Sequence, residues 1–189
     1  HSVLRMHGTP NRTGTELENA LLAAAARDGI DILTNALATT LYADDEGRVS
    51  AVRFGRPDGS TETVGCGALV IASCGFGGNK AMLREYIPEI ADADFWGHVG
   101  NEGHAIRWGQ ALGAGLADLG SYQGHGAVAT PYGNPMNWGM LSGGGFQVNS
   151  NGERFSNEMR GYSEQAVDTL AQPGRFAWNI YDETREALI

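Results

Sequence analysis

Ala68-Leu69-Val70-Ile71-Ala72-Ser73-Cys74-Gly75-Phe76-Gly77-Gly78-Asn79, running into Lys80 to Tyr86, is the stretch on which the fold class turns. The apolar run 68–72 suits a strand buried on both faces, as in a parallel sheet. The glycine turn after it predicts a change of direction, and Lys80 to Tyr86 a helix. Strand, glycine turn and helix in that order form a ligand-cradling unit of α/β proteins. The glycines carry two readings. Small residues let backbone N–H groups reach a phosphate or ring edge, or they simply permit a tight turn.

Upstream, Thr15-Glu16-Leu17-Glu18 has capping-box spacing, and Leu17, Leu21, Leu22 and Ala25 share one face of a helix over 15–28. Gly29 can end that helix in a left-handed conformation. Short strands follow at 30–33, 38–42, 49–54 and 61–64, separated by Asp44-Asp45-Glu46-Gly47 and Pro57-Asp58-Gly59, which reads as an antiparallel meander. Downstream, a helix is expected over 105–112, stopped by Gly113. From Gly120 the chain becomes loop-rich, then predicts a strand at 146–149, a turn at Asn151-Gly152, a helix at 163–171 and a strand at 176–181. The class is α/β, in part α+β, with a boundary near Gly120 that divides 1–120 from 121–189.

Composition narrows the function. The chain has 189 residues, with 13 Lys and Arg against 22 Asp and Glu, a net charge of −9. That balance disfavours nucleic acid and anionic membrane as partners. No apolar run is long enough to span a membrane, and the first residues lack the apolar core of a secretory leader. Two cysteines, Cys66 and Cys74, make neither a disulfide framework nor a four-ligand zinc site, so a reduced, cytoplasmic setting is expected. Glycine is over-represented at 28 residues and clusters near 75–78, 97–103, 113–126 and 143–145. Such density marks tight turns or close approach of backbone to a ligand.

Several groups could carry chemistry. Cys74 could be a nucleophile on a strained elbow, or a small buried cysteine; no partner His or carboxylate can be assigned to it. His98 and His104 lie six apart across a glycine-rich loop, a weak metal spacing, and no metal is expected. His125, in Tyr122-Gln123-Gly124-His125-Gly126, is flanked by glycines that leave its imidazole open to a ligand. Arg154, Glu158, Arg160 and Tyr162 could build a polar wall, or belong to a solvated turn with ordinary ion pairs.

Taken in order, these pieces resemble the fumarate reductase / succinate dehydrogenase flavoprotein family. Ala72-Ser73-Cys74-Gly75-Phe76-Gly77 is similar to its Ala-Thr-Gly-Gly-Phe-Gly turn. Gly100-Asn101-Glu102-Gly103 and the helix after it resemble its Thr-Gly-Asp-Gly loop and helix. Gln123-Gly124-His125 is similar to its Gln-x-His stretch. Val148-Asn149 with Gly152-Glu153-Arg154-Phe155-Ser156-Asn157-Glu158 matches its Val-Asn-x-x-Gly-x-Arg-Phe-x-Asn-Glu signature. The segment Ala171 to Asp182 resembles the tricarballylate dehydrogenase branch.

The resemblance implies a partial FAD-binding domain to about Gly120, followed by the start of a capping domain, within a larger flavoenzyme. It implies FAD as cofactor, near Gly75, Gly77 and Gly103, with Glu102 or His104 at the acidic position beside the flavin ring. It implies hydride transfer that reduces or introduces a carbon–carbon double bond beside a carboxylate or ketone, with a small carboxylate or enone as substrate and a separate electron-transfer protein as a further partner. His125 would orient the substrate. Where fumarate reductases carry a proton-transferring arginine this chain has Tyr162, with Arg160 two residues earlier, and a tyrosine there resembles the 3-ketosteroid dehydrogenase branch. Tyrosine can act as acid or base when its surroundings allow. The alternative is a non-catalytic ligand-binding segment without a complete flavin site.

Overall fold

A computed structural model describes residues 8–11 and 13–183. The chain divides into two compact units between Ile71 and Ala72.

The first unit contains helix α1 (Gly14–Arg27) and a three-stranded antiparallel sheet, β1 (Leu37–Ala43), β2 (Val49–Gly55) and β3 (Thr61–Gly65), in the order β1-β2-β3. The cap of α1 sits two residues earlier than the Thr15–Glu18 spacing suggests. Thr13 Oγ1 accepts the Glu16 N–H at 3.2 Å, and the Glu16 carboxylate accepts the Asn11 N–H at 2.9 Å. At the other end Gly29 takes φ +68° as expected. Its N–H reaches the Ala26 carbonyl and the Ile30 N–H reaches the Ala25 carbonyl, so the last turn is closed by a Schellman pair. The turns of the meander are set by their aspartates. Asp44 Oδ1 accepts the N–H groups of Glu46 and Arg48, and Asp58 Oδ1 accepts from Ser60 N and Oγ. The Ser60 hydroxyl and N–H hold the Asp58 carboxyl below the ordinary carboxylate range.

Two expected strands do not form. Residues 30–33 are irregular and exposed. The run 68–72 is also unpaired, with Val70 88% exposed. An apolar run shows that a segment favours burial, but a strand is made by the ladder of a neighbour. Among the described residues no strand lies beside 68–72. The expected buried state of Cys74 is likewise corrected: the thiol is exposed, and the residue takes φ +58°, a left-handed conformation that glycine adopts more cheaply. This is the position at which the resembling motif has glycine.

The second unit opens with α2 (Lys80–Tyr86), whose bounds match the sequence reading. It continues through α3 (His104–Ala111), the two-residue strands β4 (Val128–Ala129) and β5 (Asn134–Pro135), α4 (Gly139–Ser142), β6 (Phe146–Val148), α5 (Tyr162–Leu170) and β7 (Trp178–Ile180). β4 pairs with β5 and β6 with β7, both antiparallel. The apolar core gathers Phe76, Met82, Leu83, Ile87 and Ala91, with Ile106, Leu119 and Tyr122 packed against it. That core links the glycine turn, α2, α3 and the residue preceding Gln123. α3 ends as α1 does, with Gly113 at φ +80° and the Ala114 N–H on the Gly109 carbonyl.

Asn79 joins the turn to α2. Its Oδ1 accepts from Ala81 N and Met82 N at 3.1 Å, while its Nδ2 donates to the Glu102 carbonyl at 3.1 Å. Asn79→Ala should therefore cost about 1–2 kcal/mol of stability, and Asn79→Ser, which keeps a capping oxygen, should lose less. Urea unfolding of the two variants checks the order.

Candidate functional site

Two groups of residues converge in the second unit. The first is the glycine turn and the loop before α3. The Gly103 N–H donates to the Gly75 carbonyl at 3.1 Å, and the Gly78 N–H to the Asn101 carbonyl at 2.9 Å. With the Asn79–Glu102 bond, these contacts bring Gly75, Glu102 and Gly103 together. The two glycines of the turn do different work. A Cβ at Gly77 would strike the Phe95 ring, so its smallness serves packing; a Cβ at Gly75 would meet nothing within 4 Å, so that backbone lies open. Gly103 is at φ +80°, and a Cβ there would meet Met82 Sδ at 2.5 Å. It begins α3 without a side-chain cap. The first N–H groups of the helix, on His104, Ala105 and Ile106, have no partner among the described residues. His104 lies 5.9 Å from Trp108, centroid to centroid, one turn along α3. The Glu102 side chain is exposed.

The second group is aromatic. The His125 and Tyr162 rings stack with centroids 5.3 Å apart and planes 19° from parallel. Trp138 meets both edge-on, at 6.1 Å from His125 and 6.4 Å from Tyr162. Gln123 Nε2 donates to Tyr162 Oη at 2.8 Å, which leaves the phenolic O–H to donate elsewhere. His125 Nδ1 accepts the Ala127 N–H at 3.3 Å, so in the neutral ring the proton sits on Nε2, the nitrogen available to a ligand oxygen. The glycines around His125 have a role beyond leaving it open. A Cβ on Gly124 would lie 2.6 Å from Ala166 Cβ, and one on Gly126 would lie 2.8 Å from Ala166 N. The loop presses directly on α5, and the Gly126 N–H donates to the Tyr162 carbonyl at 3.0 Å.

Beneath this group lies a buried amide network that the sequence did not disclose. Gln147 on β6 is 1% exposed and Gln165 on α5 is 0% exposed. Gln147 Nε2 donates to the Gly126 carbonyl at 2.8 Å and to Asn179 Oδ1 at 2.6 Å, and its Oε1 accepts from Gln165 Nε2 at 2.7 Å. Ser156 Oγ completes Gln165. The site is thereby anchored to β6, β7 and α5 together.

Arg154, Glu158, Arg160 and Tyr162 do not form one wall. Arg154 pairs with Glu158 at 2.6 Å, Arg160 pairs with Asp168 at 2.9 Å, and Tyr162 bonds to Gln123. Glu158 is 2% exposed and also accepts the Gln147 N–H at 2.8 Å. Burial alone would raise its carboxyl; the Arg154 guanidinium and the Gln147 N–H outweigh burial and hold it below the ordinary glutamate value. Asn149 organises the turn before the pair, accepting the N–H groups of Asn151 and Glu153. Among the described residues no three His, Cys, Asp or Glu side chains gather as a metal site, and no helix is long and apolar enough to cross a membrane. Cys74 has no His or carboxylate partner among the described residues, which leaves a thiol hydrolase without its base.

The class of protein follows from a comparison with known families, and it is a flavin-binding one. The FAD binding domain family model matches residues 1–177, and the chain belongs to that family, with FAD as its cofactor. Over 179 residues it is 30% identical to the probable fumarate reductase Ifc3 of Shewanella frigidimarina (strain NCIMB 400), covering 94% of this chain and 30% of that protein. Over 171 residues it is 30% identical to the NADH:fumarate oxidoreductase of Klebsiella pneumoniae (strain 342), covering 90% of this chain and 18% of that one. The open conformation of a flavocytochrome c3 fumarate reductase superposes with a TM-score of 0.76 at 26% identity, over 98% of this chain and 33% of that chain. The 3-ketosteroid-Δ4-(5α)-dehydrogenase of Rhodococcus jostii RHA1 shares the fold, with a TM-score of 0.71 at 24% identity, over 91% of this chain and 34% of that chain. The chain thus spans between 18% and 34% of the length of these relatives.

The residues present fit the cofactor. Gly75 offers open backbone, and the N–H groups at the start of α3, without a partner among the described residues, lie one hydrogen bond away from it. N–H groups at a helix start favour the oxygens of an anionic or polarised ligand.

The Arg154–Glu158 pair should respond asymmetrically to mutation. Arg154→Met strands a buried carboxylate and should cost about 3 kcal/mol at neutral pH. Glu158→Gln frees a half-exposed guanidinium to solvent and should cost about 1–2 kcal/mol. Because the folded-state Glu158 carboxyl is lowered from 4.5, its contribution is complete above the unfolded value and is lost as pH falls through the folded one. The stability gap between wild type and Glu158→Gln should therefore shrink in acid, as read by urea unfolding at stepped pH.

Proposed function

We propose that this chain is part of an FAD-dependent oxidoreductase that reduces or introduces a carbon–carbon double bond beside a carboxylate or ketone. In this reading residues to about Gly120 complete the FAD-binding domain, and 121–189 begin a capping domain over the substrate. Gly75, Gly77, Glu102, Gly103 and His104 line the cofactor side. FAD, when bound, supplies or takes up the hydride.

The observation that carries the proposal is the His125–Tyr162 stack with Gln123 on the Tyr162 oxygen. Oriented by the Gln123 N–H, the Tyr162 O–H can pass a proton to or from the substrate carbon next to the one that exchanges hydride. His125 Nε2–H can donate to the substrate carbonyl or carboxylate oxygen and draw charge from the double bond. Arg160 was the other candidate for the proton. Its guanidinium is held by Asp168 at 2.9 Å, which supports giving the role to Tyr162. Electrons would reach or leave the flavin through a separate electron-transfer protein.

Tyr162→Phe in the complete protein should lower turnover by about a hundredfold or more while leaving substrate affinity close to wild type. Unchanged turnover on an active substrate would remove Tyr162 from the mechanism. A visible flavin band that bleaches under dithionite should accompany the wild-type protein, and its absence after FAD addition would sink the oxidoreductase reading.

A further inference from the structure

We infer that Gln147 is a positioning residue that sets the tautomer of His125, acting through the single peptide group between Gly126 and Ala127. This rests on the proposed function and deepens it, because the His125 Nε2–H is the donor offered there to the substrate oxygen.

A peptide group is planar and rigid, so its carbonyl and its N–H turn together. The Gly126 carbonyl accepts from Gln147 Nε2 at 2.8 Å. The N–H on the other side of the same peptide, that of Ala127, donates to His125 Nδ1 at 3.3 Å. A neutral imidazole carries one proton, and the nitrogen that accepts a hydrogen bond is the bare one. Gln147 thus reaches the histidine across one flat unit: amide to carbonyl, N–H to Nδ1, proton on Nε2.

The sense of the Gln147 amide is forced. A carbonyl can only accept, so Nε2 must face Gly126, and Oε1 then takes the Gln165 Nε2–H at 2.7 Å. The strand holds its side of the contact, since the Gln147 N–H donates to Glu158 Oε1 at 2.8 Å. The rest of the loop is tied by backbone. The Gly126 N–H donates to the Tyr162 carbonyl at 3.0 Å, and the Ala127 carbonyl accepts the Met136 N–H at 2.9 Å. Of these loop bonds, the one from Gln147 comes from a side chain on another element and can be removed by substitution. Gly126 and Ala127 are buried. A buried carbonyl that loses its donor is costly, so the peptide turns towards another. The Ala127 N–H then leaves Nδ1, and the proton is free to move there. His125 in that tautomer would set a bare Nε2 lone pair against a substrate oxygen.

The test uses the complete FAD-loaded protein with 15N-labelled histidine, its His125 signals assigned by their loss in His125→Gln. Spectra are taken at about pH 8, above the ordinary imidazole range. Wild type should show the Nε2–H form, and Gln147→Met a mixture or the Nδ1–H form. Gln147→Asn, which draws the amide back by one carbon, should shift the same way and serves where the methionine variant does not fold. Asn149→Ala loosens the turn after β6 without touching Gly126 and should keep the wild-type tautomer. Turnover on 4-phenylbut-3-en-2-one or fumarate, whichever the wild type accepts, should fall about tenfold or more in Gln147→Met, with FAD affinity within about threefold. An unchanged Nε2–H form in both Gln147 variants would overturn the inference and leave the proposed function standing. A shifted tautomer with wild-type turnover would uphold the link to His125 but remove His125 from the proposed mechanism. If the wild type turns over neither probe, the proposed function fails on these substrates, while the spectra still decide the role of Gln147.

Discussion

The side-chain amide of Gln147 is the constraint on which the site depends. It lies in the interior and meets a partner with both its nitrogen and its oxygen, drawn from a loop, a second strand and a helix. A buried amide is tolerated only when it is satisfied in this way, and each bond left unmade would cost more than a typical made one contributes. The network is therefore close to all-or-none. Its bond to the Gly126 carbonyl fixes the backbone beside His125, and its bond to Gln165 fixes the first turns of α5, where Tyr162 stands. Glu158 reaches the same residue through its backbone N–H, so the charged pair and the amide network act on one point of β6.

This arrangement explains how a segment rich in loops and glycine holds the stacked His125 and Tyr162 rings in place. The strands there are two or three residues long and contribute few ladder bonds. Polar side chains take over the task that longer strands perform elsewhere.

Much of the local structure was legible in the sequence, and the reasons are local. α2 was read as the helix that follows the glycine turn, and the meander from the turns Asp44-Asp45-Glu46-Gly47 and Pro57-Asp58-Gly59 between short strands. The runs at 30–33 and 68–72 misled because their apolarity says nothing about what would pair with them. Within the site, His125 and Tyr162 were singled out by type and by motif, but their stacking joins residues far apart in sequence. Trp138 was missed because it sits in a loop-rich stretch without a signature. Gln147 and Gln165 were invisible, since a buried glutamine has the same letter as a solvated one. Cys74 was misjudged because small cysteines usually hide, whereas the left-handed turn here holds the thiol outward.

The seam between the His125 loop and α5 is built from three positions that have little or no side chain, Gly124, Gly126 and Ala166. Their combined volume is close to the minimum that amino acids allow. No enlargement at one of them can be offset by a reduction at another, apart from Ala166 itself becoming glycine. Drift at these three positions is therefore one-directional: the seam can only loosen, and related sequences that keep the stacked histidine should vary around this triplet much more than within it.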